Sequence, residues 1–178
     1  MIDLFLDTDC ISSFLWVCRE DILLKLYKGR IIIPKQVFNE LSNPKVPHIG
    51  KKVNCLLGNK DINVKEIMLD TNEYNYYQEL TNPSKKGLKI IGNGEAAAIS
   101  LSKANNGIIA SNNLKDIMKY VKKFKLNHIT TGDILIEALK AELINESDGN
   151  QIWGKMLLKK RKLPTLNFSD YLKKQKNK

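Results

Sequence analysis

Four acidic residues of this chain stand where an α/β fold could gather them: Asp7, Glu40, Glu95 and Asp116. Asp7 closes an apolar run at residues 2–6, and Asp9 follows two positions on. Glu40 lies about two helical turns past the apolar run Ile31-Ile32-Ile33 and its Pro34. Glu95 opens an alanine-rich stretch, at the helix end where the macrodipole favours a carboxylate. Asp116 comes one helical turn after Ser111-Asn112-Asn113, the polar turn behind Ile108-Ile109-Ala110. Each has an ordinary role to play: Asp7-Thr8-Asp9 as a helix cap, Glu40 on a solvated face, Glu95 and Asp116 as first-turn acids. Their joint placement at strand ends and helix starts adds a second reading. Carboxylates brought together repel unless a cation neutralises them. Oxygen ligands select hard cations, Mg²⁺ or Mn²⁺. Such an ion activates water, and beside a basic chain the expected substrate is a phosphodiester.

The elements that must position these acids are legible in the apolar pattern. Residues 2–6 read as a buried strand, with Thr8-Asp9 capping a helix through Ile11, Phe14, Leu15 and Cys18. A second helix over Ile22 to Tyr27 ends at Gly29. Residues 30–33 make a second strand, and Pro34 suits the start of a helix carrying Val37, Phe38 and Leu41, with Glu40 beside that face. Residues 49–57 predict a helix, 64–68 a strand, and Tyr74, Tyr76, Tyr77 and Leu80 another helix. Residues 82–87 are a loop by composition. From Glu95 on, a helix to Lys103, the strand 108–110, a helix with Ile117, Tyr120, Val121 and Phe124, the strand 128–130 and a helix over 132–144 follow in turn. Residues 152–178 read as a basic helix and tail. Leu157, Leu158, Leu163, Leu166 and Phe168 would dock it, and Lys159, Lys160, Arg161 and Lys162 would face water. Strands apolar on both faces, alternating with helices, mean a central parallel sheet with helices on both faces. Ligands in such sheets bind beyond the carboxyl ends of the strands, where the acids stand.

The 178 residues suit one domain, and the apolar fraction of 43% can build a core without disulfides. A formal net charge of +10 predicts attraction to polyanions, nucleic acid foremost, although lysine-rich usage also serves solubility. Cys10, Cys18 and Cys55 have no metal-site spacing, and Cys10 and Cys18 read as buried free thiols of a reducing cytosol. With His48 and His128 far apart, a zinc site is not expected. No G-x-G-x-x-G follows a strand, which argues against a dinucleotide binder. No apolar run approaches the ~18 residues of a membrane span, so a cytoplasmic protein with no membrane partner is expected.

Four blocks carry a family resemblance: LFLDTDCISSFL, IIIPKQVFNEL, GNGEAAAISLSKANNGIIASNN and TTGDILIEALKAELI. In that order they resemble PIN-domain proteins, in the bacterial and archaeal branch related to VapC-like toxins. The resemblance covers residues 2–168, with 45–89 set apart as a divergent insertion and 169–178 as a basic tail. It implies a PIN-like three-layer α/β sandwich and a Mg²⁺- or Mn²⁺-dependent ribonuclease. It also implies RNA as substrate, a small antitoxin as partner in the toxin case, and a homodimer. The family's metal acids fall on Asp7, Glu40 and Glu95. Its fourth position, usually an aspartate, falls on Asn112 or Asn113, where this sequence departs from the pattern; Asp116 is the other candidate. An asparagine offers a carbonyl but no charge. The alternative to the enzyme is therefore a catalytically degenerate PIN-fold module for RNA binding or regulation.

Overall fold

The computed structural model describes residues 2–82 and 90–176. Their sheet is five-stranded and wholly parallel, in the order β3-β2-β1-β4-β5. The strands are β1 (Leu4–Leu6), β2 (Ile31–Pro34), β3 (Asn63–Lys65), β4 (Ile108–Ala110) and β5 (Asn127–Ile129). The three central strands are the apolar runs that the sequence marks. The two edges are polar, as edges exposed to water must be. β1 sits at the centre, with Leu4 opposite Ile31 on one side and Ile108 on the other.

Helices cover both faces. α1 (Thr8–Trp16), α2 (Glu20–Leu26), α8 (Thr131–Lys140), α9 (Glu146–Leu158) and α10 (Phe168–Lys176) bury one core with Leu4, Leu6 and Ala110. α5 (Asn72–Thr81), α6 (Asn93–Ala104) and α7 (Leu114–Phe124) build the other around Ile109. Successive strand residues thus feed opposite layers, which requires them to be apolar on both faces. α3 (Lys35–Leu41) packs against both α6 and α1, which decides where Glu40 goes. The three-layer α/β sandwich expected from the sequence is the fold.

Several local expectations change. Asp7, not Thr8 or Asp9, caps α1, because the chain is still extended there. α4 (Pro47–Gly58) buries Ile49, Val53 and Leu56, and β3 pairs with β2, so residues 47–65 of the segment set apart as an insertion are built into core and sheet. β3 stops at Lys65, opposite Pro34, where β2 turns into α3 and leaves no partner; Met68 is exposed. The loop read over residues 82–87 lies outside the described residues, except Asn82. Cys10 is buried but Cys18 is exposed. Its positive φ turns it out of the α1–α2 junction, and Lys52 Nζ donates to its Sγ at 3.0 Å.

α8 ends at Lys140, and α9 starts at a capping box of Asn145 and Asp148. Met156 takes the core position at the end of α9. Leu158, two residues on, points away and is exposed, as is Leu166, so neither docks the C-terminal region. Residues 168–176, read partly as a tail, are helix: Phe168 and Tyr171 bury against Trp153.

Candidate active site

The strand order reverses between β1 and β4, since β2 and β3 extend the sheet one way from β1 and β5 extends it the other. In parallel α/β sheets the crevice at that switch point is where ligands bind. Asp7 leaves β1 there, and Ser111, Asn112 and Asn113 leave β4 beside it. The Asp7 N–H donates to the Ala110 carbonyl at 3.0 Å, which holds the two strand ends together.

Asp7 is 1% exposed. As the cap of α1, its Oδ1 accepts the Cys10 N–H at 2.8 Å. Its Oδ2 is buried with no hydrogen-bond partner among the described residues. Burial pushes the Asp7 pKa up to about 7; the Ser111 hydroxyl and the Cys10 N–H pull it down, and the charges of Asp9 and Glu95 raise it further. A cap requires one carboxylate oxygen. The second, buried and without a well-formed hydrogen bond among the described residues, is a cost that capping does not explain.

Glu40 reaches the same end of the sheet from α3. The Thr8 hydroxyl donates to its Oε2. On its other side lies Gly94, where an added Cβ would stand 2.8 Å from Glu40 Oε1. A glycine at position 94 is what lets the carboxylate come so near α6. Glu95, the next residue, is half-buried in the first turn of α6. Burial raises its pKa; the Asn113 amide and the Gly92 backbone oppose that, and Asp116 and Asp9 add to it.

The β4 turn separates the two asparagines. Asn112 turns to α8: its Oδ1 accepts the Thr131 N–H at 2.9 Å and its Nδ2 donates to Thr131 Oγ1 at 2.8 Å, which ties the turn to that helix. Asn113 faces the acids. Its Nδ2 donates to Glu95 Oε1 at 2.5 Å and to Asp116 Oδ2 at 2.9 Å. An asparagine there can offer a cation its carbonyl; here it presents its amide hydrogens, because two carboxylates need donors between them. Asp116, one turn along α7, thus joins Glu95 through Asn113, as spacing by three on a helix allows.

Five acids therefore stand around one strand end: Asp7, Asp9, Glu40, Glu95 and Asp116. They are linked by charge and by bridging donors rather than by shared space. Among the described residues, no three His, Cys, Asp or Glu side chains form a group that holds a metal as they stand. Several neighbours enter the site in roles the sequence does not show. Thr8 and Ser111, legible only as parts of a helix cap and a polar turn, stand beside the acids. Lys160, Arg161 and Lys162, expected to face water, line a cleft with Asp9, Ser13 and Asn112. Only the course of the chain after α9 puts them there.

A family model described as PIN domain (DUF3368) matches residues 4–175. The chain belongs to the PIN-domain family. The match spans all four blocks and runs through residues 45–89. Among solved structures, the chain is similar to VapBC2 from Rickettsia felis bound to a DNA fragment from their promoter. It is 23% identical, covers 72% of this chain and 98% of that one, and has a TM-score of 0.49. No curated protein matches the chain. Among the described residues of this PIN domain, no helix is long and apolar enough to cross a membrane.

Proposed function

We propose that this PIN domain is a metal-dependent ribonuclease, with Asp7, Glu40, Glu95 and Asp116 as the acids that hold Mg²⁺ or Mn²⁺. The observation that carries the reading is the buried Oδ2 of Asp7, which accepts no well-formed hydrogen bond among the described residues and has only the Ser111 hydroxyl beside the carboxylate. With its pKa near 7, that carboxylate has no positive partner among the described residues, and the neighbouring acids supply only negative charge. An all-oxygen donor set fits a hard divalent ion. Asp7 is fixed by its cap. Glu95 and Asp116 are already paired across Asn113, and Glu40 would turn from Thr8. When bound, the ion supplies the charge that activates water for attack on a phosphodiester at neutral pH. Asp7 and Glu95 orient the reacting groups, and the Asn113 amide keeps Glu95 and Asp116 together. Rotating that amide would present its carbonyl in place of its hydrogens.

The substrate is RNA, and the location cytoplasmic. The blocks shared with VapC-like toxins motivate a small antitoxin and a homodimer as partners. Cleavage of a mixed RNA pool with Mn²⁺ tests the activity: wild type should cut, and Asp7→Asn and metal-free protein should not. Equal cleavage by wild type and Asp7→Asn would sink the assignment.

A second reading has its own observation. Asn113 donates to two carboxylates where the family usually has an aspartate, and no ready-made metal group forms. A degenerate module for RNA binding or regulation predicts that neither wild type nor Asn113→Asp cleaves RNA with Mn²⁺.

A further inference from the structure

After α9 the chain doubles back over α1. Lys160 adopts φ 57°, and the N–H groups of Lys160 and Arg161 close the helix on the Leu157 and Met156 carbonyls at 2.8 and 3.0 Å. The Arg161 guanidinium is committed to holding this turn. Its Nη1 donates to Ser12 Oγ at 3.2 Å, and its Nε to the Lys159 carbonyl at 3.1 Å. Lys159 is turned aside, over the Trp16 ring. Lys160 and Lys162 are exposed and, among the described residues, make no ion pair. Both line the open cleft of about 130 Å³ that Asp9, Ser13 and Asn112 complete. Asp9 acts on Asp7 and Glu95 through its charge, and Asn112 precedes the Asn113 that bridges Glu95 and Asp116. The cleft therefore adjoins the acids.

We infer that Lys160 and Lys162 form a phosphate subsite that holds one backbone phosphate of a single RNA strand, next to the bond the acids address. The inference rests on the nuclease reading of those acids. An acidic centre repels a polyanion, so a strand needs cations close by. Two unpaired ammonium groups on a fixed turn supply them, with release of the strand's counterions. Among the described residues, no aromatic side chain lines the cleft. No base stacks there, and the two ammonium groups address the charge of the backbone.

The test uses the full chain in EDTA and a labelled twelve-nucleotide 2′-O-methyl RNA, with binding followed by fluorescence anisotropy over a salt series. Lys160→Gln/Lys162→Gln should weaken binding ~10-fold at low salt. It should also flatten the slope of log affinity against log salt by about 0.7, the value for one lost phosphate contact on a single strand. Lys173→Gln/Lys174→Gln on α10, equal in charge change, should shift affinity less than ~2-fold. Equal weakening by both pairs would reduce the effect to net charge and overturn the subsite, as would wild-type affinity in the first pair. If the first pair loses only a polyglutamate peptide and keeps the RNA, the turn is a protein-docking site and the proposal is wrong. Wild-type cleavage with Mn²⁺ is scored separately: binding that depends on Lys160 and Lys162 without any cleavage would remove the nuclease reading and leave a strand-binding site.

Discussion

Two strand ends meet at the switch point, and they are built in opposite ways. β1 delivers a buried aspartate, with one oxygen capping α1 and the other accepting no well-formed hydrogen bond among the described residues. β4 delivers Ser111, Asn112 and Asn113, all uncharged and all hydrogen-bonded. The β1 end concentrates unbalanced charge, and the β4 end supplies donors that hold the surrounding acids and α8 in place. On the proposed nuclease reading, Asp7 is then the position most dependent on a cation, and the β4 turn acts mainly as scaffold.

The largest expected effect follows from Asp7. Because burial raises its pKa from 3.8 to about 7, the folded metal-free chain keeps a proton that the unfolded chain releases. The stability due to this group is present below about pH 4 and is lost as pH rises through about 7. Asp7→Asn should therefore stabilise the metal-free protein at pH 8 by up to about 4 kcal/mol, the full linkage value, with the gain vanishing near pH 4. The same variant should lose RNA cleavage ~100-fold or more and lose stabilisation by Mn²⁺. Denaturant melts at several pH values and a thermal shift with Mn²⁺ read both. Wild-type Mn²⁺ stabilisation in Asp7→Asn would break the comparison.

Asp116→Asn comes next. It should lower cleavage ~50-fold and weaken Mn²⁺ binding, because one charge at short range is removed. Asn113→Asp should cost the metal-free protein ~1–2 kcal/mol, since a shared donor becomes a third negative charge; added Mn²⁺ should recover that loss in a thermal melt. If Asn113→Asp instead raises cleavage strongly while Asp116→Asn leaves it intact, the β4 turn carries the fourth position and is more than scaffold.

A smaller effect is expected from Gly94→Ala. The new methyl would crowd Glu40 Oε1 at 2.8 Å and push the carboxylate off α6. Mn²⁺ affinity should fall ~5-fold while thermal stability holds, because alanine favours the helix by up to ~1 kcal/mol. Titration calorimetry beside a melt separates the two. The smallest change at the acids belongs to Asn112→Ala, which cuts the tie to Thr131. It should cost ~1–2 kcal/mol of stability and leave Mn²⁺ affinity within ~2-fold.

By itself the sequence determined what depends on neighbours along the chain. Apolar periodicity placed the strands and the helices around the acids, and strand ends followed by helix starts marked Asp7, Glu95 and Asp116. The physical reason is local: burial on both faces of a strand, and capping and the dipole at a helix start, leave their mark within a few residues. Tertiary structure alone decided which of two adjacent asparagines faces the acids, because each turns on a partner far along the chain, Thr131 for one and Glu95 for the other. It also brought Glu40 to Gly94, drew residues 63–65 into the sheet beside β2, exposed Leu158 and Cys18, and laid Lys160 and Lys162 beside α1. No local pattern encodes these contacts, since each forms only after separate elements have packed on one sheet.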